Sequence, residues 1–140
     1  MDQAVADSIQ EILQRASLLT EKVFVCAVKM AETVEQLTAA HLFLSLCSED
    51  PSLVFPTFKR TQVDMKGLLR ALRNECVYDQ SPDRTNSVLK LVCETAPIGL
   101  PITTTHLLIA ILMEETNQIS RHVRDRKVDV EALSYLLECV

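Results

Sequence analysis

A self-match at a constant shift of 65 residues constrains this chain more than any other feature: "LTAAHLFLSL", beginning at Leu37, returns as "ITTTHLLIAI", beginning at Ile102. The alignment continues without a gap from Thr20 over Thr85 to Leu72 over Leu137. Within it Val23 falls on Val88, Ala31 on Ala96, His41 on His106, Asp64 on Asp129 and Leu68 on Leu133. An ungapped match that also keeps the order of caps, apolar stripes and breaks indicates a duplicated unit.

Each unit reads as four helices from apolar spacing and start signals. In the first unit Val23, Ala27, Met30, Ala31 and Val34 follow the three-and-four spacing of one buried face, after Thr20 as N-cap with Glu21 in the first turn. Its counterpart runs from Thr85 towards Ala96 and is closed by Pro97 and Pro101. The repeated phrase is the second helix, capped by Thr38 or Thr103. Leu42, Phe43, Leu44 and Leu46, like Leu107, Leu108, Ile109 and Ile111, point in nearly every direction, so both versions are expected to be enclosed. A short third helix follows Pro51 or Asn117, with Val54 and Phe58 matching Ile119 and Val123. Asp64 and Asp129 cap the fourth, which buries Met65, Leu68, Leu69 and Leu72 in one copy and Val130, Leu133 and Leu137 in the other.

The expectation is therefore a single all-α domain over 1–140: an extra N-terminal helix at 3–17 with Ile9, Ile12 and Leu13 on its apolar face, repeat one at 20–76, a linker at 77–84, and repeat two at 85–140. A chain of 140 residues can bury a core without staples. Two glycines and five scattered prolines leave too few turn residues for many hairpin-joined strands.

Charge and cysteine usage narrow the function classes. A formal net charge of −5 argues against wholesale phosphate binding, hence against nucleic acid as the main partner. The one basic cluster, Arg121, Arg124, Arg126 and Lys127, is interrupted by Asp125 and Asp129 and reads as a solvated helix face. Five cysteines with no CxxC pair, mostly within apolar stripes, fit buried reduced thiols and a cytoplasmic location. No run approaches the roughly 20 apolar residues that span a bilayer, and acidic Asp2 and Asp7 do not suit a signal peptide, so no membrane partner is expected.

No catalytic constellation emerges. His41 and His106 each stand near a helix start without a second residue at metal-ligand spacing, and packing is the better reading. Cys26 and Cys47 have no local histidine to activate them. Glu49 with Asp50, and Glu114 with Glu115, read as acidic helix ends rather than as general acid/base pairs, because adjacent residues diverge on a helix. Gly67 and Gly99 are not placed to supply a phosphate-binding GxxxxGK[ST] loop. No catalytic residue, cofactor or metal is expected.

The doubled arrangement of "LTAAHLFLSLCSED" with "QVDMKGLLRAL", and "ITTTHLLIAILMEE" with "KVDVEALSYLL", resembles the N-terminal (Clp repeat) domain of Clp unfoldases over roughly Thr20 to Val140. The resemblance implies a pseudo-twofold helical bundle that receives protein clients and adaptors and passes clients to an ATP-driven ring. Two forms fit it: a front domain excised from a longer unfoldase, which the absence of a linker after the last helix favours, or a stand-alone relative, which the extra N-terminal helix favours. Members commonly carry Glu immediately before the phrase's histidine, and in some of them the two glutamates hold arginine-phosphate tags. Here those positions are Ala40 and Thr105, and neutral side chains cannot replace a charge-assisted carboxylate contact, so phosphoarginine recognition is expected to be absent or much weakened.

The expected partner-binding residues are Thr20, Thr38, Ala40, Thr85, Thr103 and Thr105, in a groove between the copies where helix starts present unsatisfied N–H groups. The expected function is a non-catalytic protein-interaction module that recruits clients, an adaptor or a Clp-type unfoldase for protein quality control or proteolysis. The alternative, from another class, is a stand-alone helical scaffold or regulator acting by self-association or by nucleic-acid contact through the Arg121–Lys127 stretch. The sequence leaves the oligomeric state open.

Overall fold

Side-chain caps and prolines set the helix boundaries, and every regular element among the described residues is helical. The computed structural model describes residues 3–60, 63–75 and 82–138. They form α1 (Gln3–Arg15), α2 (Leu18–Ala31), α3 (Ala39–Glu49), α4 (Pro51–Arg60), α5 (Met65–Glu75), α6 (Pro82–Thr95), α7 (Thr104–Met113), α8 (Gln118–Asp125) and α9 (Val130–Glu138). A 3₁₀ turn at Val34–Gln36 separates α2 from α3. The fold is all-α.

Most expected caps act as caps. Thr38 Oγ1 accepts the His41 N–H at 3.2 Å, Asp64 Oδ1 accepts from Gly67 at 3.1 Å, Asp129 Oδ1 accepts from Ala132 at 3.1 Å, and Asn117 Oδ1 accepts from Ser120 at 3.0 Å. Each satisfies a backbone donor that a helix start leaves orphaned.

Two starts differ from expectation. Ser17 caps α2, so Thr20 lies inside the first turn with its hydroxyl 2.9 Å from Ser17 Oγ. The chain supplies two cap-competent hydroxyls three residues apart, and the earlier one takes the free N–H. Helix α6 begins at Pro82, not Thr85, because proline suits a first turn where no N–H is required. Pro82, Asp83 and Arg84, expected in the linker, therefore belong to α6; residues 77–81 of that linker lie outside the described residues, as do Cys76 and Cys139.

Helices α3 and α7 occupy the middle and touch each other, with α2 packed on α3 and α6 on α7. Both are enclosed as expected: Leu42, Phe43 and Leu46 of α3 and Leu107, Leu108, Ile111 and Leu112 of α7 are fully buried. Ser45 Oγ donates to the Val23 carbonyl at 2.6 Å and ties α3 to α2. Phe43 meets Phe58 of α4 edge to face, ring centroids 5.5 Å apart, a favoured aromatic geometry. Met30, expected in the buried stripe of α2, is 45% exposed, and Val34 is half-buried in the 3₁₀ turn. Met65 and Leu69 of α5 are half-buried, whereas Leu68 and Leu72 are buried.

Helix α1 packs against α6 and against the 3₁₀ turn. Ile9 and Ile12 are buried in the common core, and Leu13 is half-buried against it. Ser8 Oγ donates to Asn86 Oδ1 at 3.2 Å, and Arg15 Nη2 donates to the Pro97 carbonyl at 3.3 Å. The segment after α1 then runs beside the segment before α7: Ile102 N–H donates to the Arg15 carbonyl at 2.8 Å and Ser17 N–H to the Ile102 carbonyl at 2.9 Å. Among the described residues, no helix is long and apolar enough to cross a membrane.

Candidate functional site

The expected groove between the copies is closed by the chain itself. Thr20, Thr38, Ala40 and Thr85 are each 2% exposed or less. Thr85 Oγ1 donates to the Leu37 carbonyl at 2.8 Å, so a hydroxyl of α6 satisfies the backbone just ahead of α3. Thr20 faces Ser17, whose N–H is bonded to the stretch just ahead of α7. These four residues serve internal satisfaction and packing, because a buried hydroxyl without a partner is costly. Thr103 and Thr105 are half-buried and reach a surface pocket.

Two pockets stand at positions related by the 65-residue shift. The first, about 760 Å³, lies among the end of α2, the start of α3, α4 and α5, and its walls include Met30, Glu32, His41, Leu44, Phe55 and Leu69. The second, about 560 Å³, lies at the end of α6 and the start of α7 and includes Thr95, Pro97, Thr103, Thr105, His106 and Ile109. Met30 corresponds to Thr95, Glu32 to Pro97, His41 to His106 and Leu44 to Ile109. The first pocket is the more apolar because Phe55, 39% exposed, corresponds to Ser120, which is fully buried and donates to the Leu112 carbonyl at 2.6 Å.

The phrase histidine in each pocket wall is a capping residue. His41 Nδ1 accepts the Thr38 N–H at 3.1 Å, which makes the imidazole neutral with its proton on Nε2, and Thr38 Oγ1 lies 2.9 Å from the same nitrogen. Burial holds its pKa below the ordinary value. His106 Nδ1 likewise accepts from the Thr103 N–H at 3.0 Å. The sequence reading of both as packing residues described their surroundings and missed their role as helix-start acceptors; the Thr-x-x-His spacing is that of a capping box with histidine in the position usually held by Glu or Gln.

Among the described residues the thiols are protonated and at least partly buried. Burial pushes Cys47, in the wall of the first pocket, up to about 12. Cys26 Sγ donates to Glu49 Oε1 at 3.0 Å, and that bond to a carboxylate raises its pKa as well. Such thiols are poor nucleophiles at neutral pH. Among the described residues no three His, Cys, Asp or Glu side chains converge as metal ligands do.

Arg121, Arg126 and Lys127 are exposed, as expected of a solvated helix face, and Arg124 is half-buried. Arg124 turns inward, Nε donating to Ser120 Oγ at 2.9 Å, and Arg126 Nε donates to His122 Nε2 at 3.0 Å, so the Arg121–Lys127 stretch presents less free charge than its composition suggests. A second set was missed. Lys66, Arg70 and Arg73 lie exposed along α5, and Arg73 forms part of the first pocket's wall. Their i, i+4, i+7 spacing was the available signal, since it places all three on one helix face although they are scattered in sequence. The chain matches no protein-family model and no curated protein.

Proposed function

We propose that this chain is a protein-docking module of the kind carried at the front of Clp unfoldases, recruiting clients or adaptors for protein quality control or proteolysis. The observation that carries the reading is the pair of pockets at equivalent places in the doubled sequence, each beside a Thr-x-x-His helix start. Supporting it, the packing pairs recur across the shift: α2 on α3 and α6 on α7, α3 on α5 and α7 on α9, α2 on α7 and α6 on α3. A bundle built from two such halves around an approximate internal dyad presents concave, mostly apolar sites without moving parts, which suits capture of exposed apolar segments.

The docking site is the first pocket, where the partly exposed Met30 and Phe55 turn apolar surface into one concavity. The groove at Thr20, Thr38, Ala40 and Thr85 has no free surface to offer. Recruitment is tested by fusing the chain ahead of a Clp-type ATPase ring that lacks its own N-domain. Restored turnover of an unfolded client, lost again with Phe55→Asp, is the expected result. Turnover no faster than that of the bare ring would count against the reading.

A further inference from the structure

The first pocket continues into the outer face of α5, and we propose that this combined surface recognises an acidic protein segment carrying an apolar anchor. The assignment rests on the docking reading above and specifies its partner's chemistry. Leu69 and Arg73 of α5 are both in the pocket wall. Lys66 and Arg70 stand beside Arg73 on the exposed side of the same helix, and among the described residues none of the three is paired with a carboxylate. Lys59 and Arg60, also exposed, end the neighbouring α4. Against these five cations, the stretch from Pro51 to Arg73 holds only Asp64 as an acid, in a chain whose formal net charge is −5.

The charge is specific to this pocket. At the equivalent places in α9 the sequence has Glu131 for Lys66, Tyr135 for Arg70 and Glu138 for Arg73, so the second copy reverses or removes each cation. A duplicated unit that keeps its caps and core yet changes sign on one outer face differs there in what it attracts. Complementary potentials select partners and speed encounter, and like charges reject the wrong ones.

A protein segment suits the surface better than nucleic acid. The cavity beside the cations is lined by Met30, Leu44, Phe55 and Leu69, which accept hydrocarbon, and its wall also holds Glu32, with Glu35 exposed three residues on, which repel a phosphate track. The partner's carboxylates lie along α5, its apolar anchor enters the pocket, and any cation it carries falls towards Glu32.

The test uses two labelled peptides with the same Leu and Phe anchors, one flanked by Asp and Glu and the other by Lys, titrated by fluorescence anisotropy. The acidic peptide is expected to bind saturably and to weaken when salt rises from about 50 to about 300 mM, where screening shortens the reach of exposed charges. In the Arg70→Glu/Arg73→Glu double variant its affinity should fall by about tenfold or more while the Lys-flanked peptide gains. Both substitutions are at exposed positions, and an unchanged circular-dichroism melt verifies the fold. Equal binding of the two peptides, both lost in Phe55→Ala, overturns the acidic assignment and leaves docking standing. Binding of neither peptide also overturns it, and the ring fusion then decides docking separately. A single-stranded oligonucleotide that binds these residues more tightly than the acidic peptide overturns it in favour of nucleic acid.

Discussion

Thr38 and His41 close a helix start without any charged group, and that local choice makes the site sensitive to pH. Thr38→Ala removes the hydroxyl that accepts the His41 N–H, and is expected to cost about 1 kcal/mol in urea denaturation. His41 must stay neutral at Nδ1 to accept the Thr38 N–H, and burial places its folded pKa below the value of 6.5 that applies when it is exposed. As pH falls, the unfolded chain takes up the proton first. The stabilisation is therefore complete above about pH 6.5 and is lost as pH falls through the lower, folded value. His122 shifts in the same direction, chiefly through burial, so the two contributions are separated by His41→Gln, in which glutamine returns to the N-cap N–H without titrating. Its melting temperature should fall less than wild type between pH 7 and pH 5, and an identical fall would remove His41 from the account. Ala40 answers the question of phosphoarginine from another side. At 2% exposure it has no room for a carboxylate, so Ala40→Glu is expected to destabilise by roughly 3 kcal/mol or more through a buried unpaired charge, and not to create binding of a phosphoarginine peptide.

The helices themselves were largely legible, for reasons that differ by element. Helix α4 after Pro51, α5 after Asp64, α8 after Asn117 and α9 after Asp129 start where a proline or a capping side chain says they should, because the signal and the structure are the same local hydrogen bond or ring. The start of α2 was misplaced at Thr20, because Ser17 three residues earlier carries an equally cap-competent hydroxyl and takes the N–H, and the first pocket was invisible because Met30 and Phe55 differ from buried apolar residues only in what packs on them. Pairing of one amphipathic face with another is likewise not written in periodicity. Helix α1 shows the consequence: its spacing identifies a helix with Ile9 and Ile12 on one face, but not that this face lies on α6 and on the 3₁₀ turn ahead of α3. The two elements that α1 packs on are also linked near Thr85, whose hydroxyl donates to the Leu37 carbonyl just after the 3₁₀ turn. Ile12 is fully buried, and Ile12→Ala should cost about 2–5 kcal/mol by denaturant titration. Removing residues 1–16 should lower the melting temperature further than Ile12→Ala does. A truncated chain as stable as the whole would mean that α1 is a detachable cover and not part of the core.

At the scale of the molecule, the two halves of the chain share one core in which the central helices α3 and α7 pack on each other. Helix α3 contacts α6, α7 and α8, and α2 contacts α7, so the apolar surface of each phrase helix is covered partly by its own copy and partly by the other. Hydrogen bonds also tie the chain before residue 76 to the chain after residue 81, among them Thr85 to the Leu37 carbonyl at 2.8 Å, Thr104 Oγ1 to Asp50 Oδ2 at 2.7 Å, and Ser17 to the Ile102 carbonyl at 2.9 Å. The Thr104 tie also sets a carboxylate at the start of α7, where exposed N–H groups favour negative charge. Fragments 1–75 and 82–140 should each lack a cooperative thermal transition, because isolation returns to water the part of α3 or α7 that the other half covers, and each fragment is near the size at which burial barely offsets chain entropy. Mixed at equal concentration, they should regain helical signal and a shared transition, since the missing cover is then supplied in trans. A sharp, reversible melt in either fragment alone would show that its half closes its own core, and the contacts between α3 and α7 would then be a docking of two finished units instead of the centre of one.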